Sequence, residues 1–411
     1  MKKIVCLETG FPPELASSRL SFEFAQELTG RDYDIVVVTT FPKKYLLSQE
    51  LGEIKSSKKF FYWEIMDNVK VLRVWPQFVS KSPTSRALEY LVIPISLFLG
   101  GLIVGKKDLI HCDSPPLLVA LIGCILGKIT RTPIILRTQD LHPDGLIKAG
   151  ILKNKLFIKF LELIEKFVYL RSNKITVIAE GYKKHIISKG ITPNKIILIP
   201  NWADTSKIPS VLKSNDFRIN NNLSNKFIVT YAGTMSWAQD LETVIEAAHI
   251  LKDHKDIVFL LVGEGVKKEL LMKKSKELKL KNTIFMPLQP RNVYFKILYA
   301  SNACLVPLRK NYKSPTAPSK MLEIMACSKP IIANVPYKSE VHKLINKAQC
   351  GIWVEPENPK TLSQTVLNLY ENREFAHKLG KKGREFVKKH LSLMACMNEY
   401  EKLIKSFFVK I

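Results

Sequence analysis

Twice along this chain, short apolar runs alternate with segments of helical period, and that alternation restricts the fold more than any other feature. In the first half, residues 4–7, 35–39, 69–74, 109–112, 134–137, 174–178 and 196–199 read as strands. Between them, 18–28, 117–126, 155–170 and 181–189 carry helical periods. Strands separated by helices predict a mostly parallel, doubly wound α/β sheet. The polar stretch 204–226, rich in Ser, Asn and Lys, breaks the pattern and reads as a linker. A second βα series then runs through 227–231, 258–262, 283–285, 303–306, 330–334 and 351–354, and the chain is helical from 361 onward. Two Rossmann-like domains are expected, with a ligand near the carboxyl ends of the strands.

At 411 residues the chain is long enough for two domains. The seven cysteines are scattered, with no Cys-x-x-Cys pair, which speaks against a disulfide framework or a zinc site and for a reducing cytosol. The start, Met-Lys-Lys-Ile-Val-Cys-Leu-Glu, is basic, but its apolar run is too short for a signal peptide and reads as a strand. The net charge of +26 is spread over both halves. It suits phosphate-bearing substrates, an anionic membrane surface or a plain lysine-rich surface. No arginine-rich tail or aromatic–basic RNA motif accompanies it, so no nucleic-acid partner is expected.

Residues 87–105 form a 19-residue stretch with one charge, Glu89, between Arg86 and Lys106-Lys107. Three readings fit it: a buried helix, a helix dipping into a membrane surface, and a membrane span weakened by Pro94, Gly100 and Gly101. The apolar helix at 117–126 would extend the same patch.

Five segments at strand ends and helix starts carry chemistry. Gly10-Phe-Pro-Pro13 lets the backbone approach a phosphate or sugar, and it is not a Gly-x-Gly-x-x-Gly turn. Tyr231-Ala-Gly-Thr-Met-Ser236 and Val262-Gly-Glu-Gly265 are two further turns at matching depth in the second series, where N–H groups collect at helix entrances. Pro318-Ser-Lys-Met-Leu-Glu323 opens an apolar helix with Ser319, Lys320 and Glu323. A carboxylate in that setting needs a partner, and ribose hydroxyls suit it. Arg309 and Lys320 together could neutralise a diphosphate without a metal. In the first half, Arg137-Thr-Gln-Asp140-Leu-His142-Pro-Asp144 follows a strand, and acid–base work or sugar contacts by Asp140 and His142 are plausible there. The plain alternative for Asp140 is a helix N-cap. No Asp-x-Asp and no His pair at ligand spacing occurs, so no metal is expected.

At these residues the chain resembles the GT-B glycosyltransferases, and within them the large retaining family 4. The resemblance runs nearly end to end, through Gly10-Phe-Pro-Pro-Glu, Ile199-Pro-Asn-Trp-Ala-Asp204, Tyr231–Glu242, Val262–Gly265, Pro318–Ala326 and Glu355-Pro-Glu-Asn. It is strongest to the subgroup that builds bacterial O-antigen, capsule or colanic acid on a lipid carrier. The resemblance implies two domains facing across a cleft: 1–203 for the acceptor, 204–385 for the nucleotide-sugar, and a final helix, 386–411, crossing back to the first. Donor contacts would come from Gly10, Gly233, Thr234, Gln239, Gly263, Glu264, Leu288, Gln289, Ser319, Lys320 and Glu323, with Glu323 on the ribose and the base near 287–290. Asp140, His142, Arg309 and Lys320 would serve the transfer.

The implied reaction is metal-independent, needs no cofactor and retains the anomeric configuration. It would move a sugar, on our reading a UDP-linked N-acetylated hexosamine, to a polyprenyl-diphosphate-linked saccharide. The enzyme would sit peripherally at the cytoplasmic face of the plasma membrane. Two departures and two rivals stand beside this. Pro315 replaces the first Glu of the family's Glu-x7-Glu, and Thr234 and Gln239 stand where many members carry an Arg–Lys pair. A UDP-sugar 2-epimerase shares the architecture. A membrane-associated scaffold with a degenerate site would explain the missing pair.

Overall fold

A computed structural model describes residues 1–12, 18–42, 60–75, 83–148, 152–209, 216–312 and 317–408, with the side chains of 83–89 left aside. Pro13, Glu14 and Pro315, named above, lie outside the described residues. The chain divides into two compact units, Met1–Pro200 with Met397–Ile411, and Asn201–Cys396.

The first unit holds eight strands: β1 Lys3–Leu7, β2 Asp34–Thr40, β3 Phe61–Met66, β4 Val69–Val74, β5 Leu109–Ser114, β6 Ile134–Thr138, β7 Lys174–Val177 and β8 Ile196–Leu198. They lie in the order β3-β4-β2-β1-β5-β6-β7-β8. All pairs are parallel except β3 with β4. The central strands are buried along nearly their whole length and mostly apolar, as expected where helices cover both faces. Strand β3 escapes the sequence reading: it sits at the edge, and its Trp63 and Ile65 point to solvent.

The ambiguous run 87–105 lies on a helix, Pro83–Ile103, that contains Pro94. Its inner side buries Ile93 and Leu97 in the core. Gly100 permits the close approach: a Cβ there would stand 2.6 Å from a Val38 methyl and 2.7 Å from a Val74 methyl. Its outer side leaves Leu91, Ile95, Leu99 and Ile103 exposed. Among the described residues, no helix is long and apolar enough to cross a membrane.

The second unit holds six strands: β9 Phe227–Ala232, β10 Ile257–Val262, β11 Thr283–Met286, β12 Ala303–Leu305, β13 Ile331–Asn334 and β14 Gly351–Val354. Their order, β11-β10-β9-β12-β13-β14, is the doubly wound pattern, with every pair parallel. The expected linker 204–226 is corrected in its second half. Residues Asp216–Asn220 form a short helix whose Phe217 joins the core. Arg218 donates from Nη2 to the Ala300 carbonyl at 2.6 Å and to Asn302 at 2.7 Å. Polar composition concealed a segment that is built into the unit.

From Met397 the last helix, Leu393–Lys405, is counted with the first unit. Tyr400 is buried there, edge-on to Phe24 at 5.0 Å, with its hydroxyl 3.2 Å from Thr176 Oγ1. Arg31 pairs with Glu401 at 2.7 Å and donates to Asn398 at 2.9 Å.

Candidate active site

In the second unit, three turns at the carboxyl ends of β9, β10 and β12 meet the start of the helix Ser319–Ala326. The turns of β9 and β10 pack backbone on backbone. Gly233 N–H donates to the Val262 carbonyl at 2.8 Å, and Met235 N–H to the Glu264 carbonyl at 2.8 Å. This closeness requires glycine. At Gly263, with φ +148°, a Cβ would run into the Gly233 carbonyl, and at Gly265, with φ +150°, into that of Met235.

Lys320 reaches this turn. A Cβ on Gly233 would lie 3.1 Å from Lys320 Nζ, so the missing side chain is the space the ammonium group occupies. Lys320 is half-buried, and burial pushes its pKa down while Glu323 pulls it up. It makes no ion pair among the described residues. A half-buried cation at the head of a helix, beside backbone N–H groups, is arranged for an anion. Ser319 is exposed at the first position of the same helix.

One turn of helix later stands Glu323, its side chain only 12% exposed. The sequence reading asked for a partner for this carboxylate and offered ribose hydroxyls; within the protein, Arg291 Nη1 donates to its Oε1 at 2.9 Å. The guanidinium of Arg291 also lies 4.7 Å above the Phe295 ring. Burial and then the nearby Glu323 charge push the Tyr294 hydroxyl well above its ordinary pKa.

Arg309 follows β12. Its backbone N–H bonds the Ala238 carbonyl at 3.1 Å, and its Nη2 meets Glu242 Oε2 at 2.9 Å. The other oxygen of Glu242 faces Lys267, a buried lysine whose Nζ sits 4.8 Å over the Trp237 ring. Thus two cations, Lys267 and Arg309, converge on the β9 turn from other elements, although Thr234 and Gln239 replace the pair within the turn. Gln239 closes that turn, its Oε1 accepting from the Ser236 N–H at 3.1 Å and hydroxyl at 2.6 Å. Thr234 is exposed, its carbonyl bonded by the Tyr231 hydroxyl at 2.7 Å. Glu264 is exposed and paired with Lys268 at 2.6 Å. Leu288 is exposed, and Gln289 donates back to the Pro287 carbonyl at 3.0 Å.

The remaining candidates lie in the first unit. Gly10 lines a cavity there with Glu8 and Arg137. Asp140 is not a helix cap: its Oδ1 accepts from the Tyr182 hydroxyl at 3.0 Å and from the Leu141 N–H at 2.8 Å. Burial lowers the pKa of His142, which favours the neutral imidazole, against a smaller opposing pull from Asp140. Two groups of metal-ligating types occur among the described residues, Glu8 with His111 and Asp113, and Asp144 with Glu165 and His185. A protein cation already holds each: Arg137 bonds Asp113, and Lys189 bonds both Asp144 and Glu165.

Comparison with known proteins decides the family. A family model described as "Glycosyltransferase Family 4" matches residues 17–207, and one described as "Glycosyl transferases group 1" matches 213–386. The chain is a glycosyltransferase of the family 4 type.

The glycosyltransferase is 25% identical over 374 residues to the putative colanic acid biosynthesis glycosyl transferase WcaI of Escherichia coli, covering 88% of this chain and 90% of that one. It is 23% identical to the probable glycosyltransferase WbjE of Pseudomonas aeruginosa, covering 65% and 67%. Among solved structures it matches sucrose-phosphate synthase from Thermosynechococcus elongatus with a TM-score of 0.77 at 17% identity, over 99% of both chains. It matches Anabaena Alr3699/HepE in complex with UDP and glucose with a TM-score of 0.71 at 14% identity, over 99% of this chain and 100% of that one. These likenesses establish GT-B, two parallel-sheet α/β domains.

Arg291, Glu242 and Lys267 were not picked out from the sequence. Each acts through a partner far along the chain, and a charged residue at a helix start carries no local mark of that partner. The one usable signal was Glu323 itself, whose apolar helix called for a partner, and that partner was read as ribose hydroxyls and not as Arg291.

Proposed function

We propose that the protein moves a sugar, an N-acetylated hexosamine, from a UDP-sugar to a lipid-linked saccharide during assembly of a bacterial surface polysaccharide. The single observation that carries this is Lys320 seated against the Gly233 turn, with Glu323 one helical turn further on. In this reading Lys320 and the first N–H groups of the helix Ser319–Ala326 take the diphosphate, and Glu323 takes the ribose hydroxyls. Arg309 stabilises the leaving charge, held in place by Glu242. The donor contacts also draw on Gly263, Ser319, Leu288 and Gln289. Asp140 and the neutral His142 serve the acceptor from the first unit. Transfer retains the anomeric configuration and proceeds without a metal, since these cations do the neutralising. The UDP named with the HepE structure and the colanic acid named for WcaI support the donor and the pathway type.

The acceptor's lipid and the enzyme's place at an anionic membrane surface are supported by one face of the first unit. The helices Pro83–Ile103, Leu117–Thr130 and Lys155–Arg171 expose Leu91, Ile95, Ile129, Phe157, Phe160 and Leu163, with Lys155, Lys159 and Lys166 among them. Apolar side chains interleaved with lysines match a membrane interface.

Thermal shifts with UDP, GDP, dTDP and NAD, on wild type and Glu323→Ala, test the donor assignment, because a ligand of the native state raises stability as RT ln(1 + [L]/Kd). A UDP shift that disappears in the variant is expected. A shift with none of the four, or an undiminished shift in Glu323→Ala, overturns it.

A further inference from the structure

Lys267 is fully buried, although its ammonium group stands beside the turns of the second unit. The β10 turn puts it there. Gly265 lets that turn lie against the β9 turn, and two residues later the Lys267 N–H bonds the Met235 carbonyl at 3.0 Å. The exposed Trp237 covers the ammonium, its ring centre 4.8 Å from Nζ. Nζ meets Oε1 of Glu242, the second residue of the helix Leu241–Ile250. Oε2 of the same carboxylate meets Arg309 Nη2 at 2.9 Å. Glu242 is thus divided between a closed cation and an open one: the Lys267 side chain is 0% exposed, that of Arg309 36%. Asp240, the other carboxylate acting on Lys267, is engaged elsewhere. Its Oδ1 accepts from the Thr243 hydroxyl at 2.8 Å, and its Oδ2 from Asn334 at 3.3 Å and the Glu357 N–H at 2.8 Å. Lys274, on the helix that follows Lys267, is paired with Glu246 at 2.5 Å.

We propose that Lys267 is a positioning residue of the donor site: by holding one oxygen of Glu242 it keeps that carboxylate from closing on Arg309 with both, and so leaves the guanidinium charged for the donor's diphosphate. The inference rests on the donor reading of Arg309 and adds a residue that touches no ligand itself. A buried ammonium group is costly to keep. Folding does not require this one, because an apolar side chain in its place would still leave Glu242 paired with Arg309. What its charge changes is Arg309. A carboxylate released by Lys267 can turn both oxygens to one guanidinium, the two-pronged arrangement these groups favour. The exposed cation would then be neutralised within the protein. Burial first, then the charges of Arg309 and Lys274, push the Lys267 pKa down to about 8, against the pull of Asp240. Lysines so perturbed beside a cleft gather at functional sites.

The test is titration calorimetry with UDP at neutral pH on wild type, Lys267→Met, Glu242→Gln and the two substitutions combined. In Lys267→Met the affinity is expected to fall about tenfold, the worth of one charge-assisted bond. In the double variant it should return to within about threefold of wild type, because the amide still accepts from Arg309 but carries no charge to cancel. A purely structural lysine would leave the double variant at least as weak as the single one. The pH profile is a second readout. As pH rises through about 8, Lys267 loses its proton and releases Glu242, so wild-type affinity should fall severalfold. Glu242→Gln should lack that step, whereas any titration of Lys320 would persist in both proteins. Melting temperatures without UDP report folding, and if Lys267→Met does not fold, the pH step decides alone. Unchanged affinity in Lys267→Met, a double variant no tighter than the single, or a pH step that persists in Glu242→Gln overturns the proposal. With UDP binding intact in wild type, such results sink the role of Lys267 alone. A wild type that binds no UDP overturns the donor reading together with it.

Discussion

Lys320 and Glu323 differ in how much of their role the sequence disclosed. Their spacing, three apart at the head of an apolar helix, places both on one side of the first turn, and that much follows from helical period alone. What Lys320 faces does not follow, because the Gly233 turn is many residues away and the contact exists through the pairing of β9 with β12. With its ammonium against that turn, Lys320→Met is expected to lower kcat by roughly a hundredfold, the usual cost of removing one preorganised donor at developing charge. UDP affinity should fall about tenfold, which steady-state kinetics and UDP titration would show together. Unchanged kcat would mean that Lys320 serves binding only.

Glu8 calls for a sign argument. Its folded pKa lies above the ordinary carboxylate value of about 4.3 because burial and Asp113 disfavour the charge. Between those two values the folded protein holds a proton that the unfolded chain has released, so stability falls as pH rises above about 4. Glu8→Gln should therefore be more stable than wild type at pH 8, with the gap closing toward pH 4. Urea midpoints across that range would measure it. A wild type more stable than the variant at pH 8 would show that Arg137 compensates the buried charge in full.

At the scale of elements, the run 87–105 shows why periodicity reaches a limit. This helix packs on the sheet with one side and leaves Leu91, Ile95, Leu99 and Ile103 exposed on the other, so no stripe separates the two surfaces, and only Ile93, Leu97 and Gly100 against β2 and β4 reveal which side is which. The strands were legible because parallel strands covered on both faces are continuous apolar runs. Strand β3 and the helix Asp216–Asn220 were not, since one is a solvent-facing edge and the other sits in polar sequence. The exposed face of the helix Lys155–Arg171 gives the membrane proposal its sharpest check. Phe160 is 55% exposed and Leu163 61%, so changing both to Glu removes no core packing. Each buried apolar side chain of this size contributes about 1.5–3 kcal/mol. Sedimentation with anionic vesicles should fall at least tenfold for the double variant, with the melting temperature unchanged. Binding that persists would place the interface elsewhere.

For the whole molecule, the chain passes from the first unit to the second and returns, so the stability of the first unit depends on residues nearly 200 positions beyond its main body. Composition gave no sign of this dependence; only the family resemblance implied that a final helix, set at 386–411, crosses back to the first domain, and the part counted with the first unit begins at Met397. Tyr400 is the point of attachment, 1% exposed, packed on Phe24 and His111 and bonded through its hydroxyl to Thr176. Removing such a ring costs about 3–5 kcal/mol, a large share of a domain's stability. The loss in Tyr400→Ala should also be local. Because contacts decide which backbone bonds open together, hydrogen exchange in the variant should quicken in β1, β5, β6 and β7 while β9, β10 and β13 keep their protection. UDP binding should then survive in the variant at temperatures where the first unit is already opening. If protection falls equally in both sets of strands, the two units unfold as one cooperative body, and the return of the tail couples them instead of completing only the first.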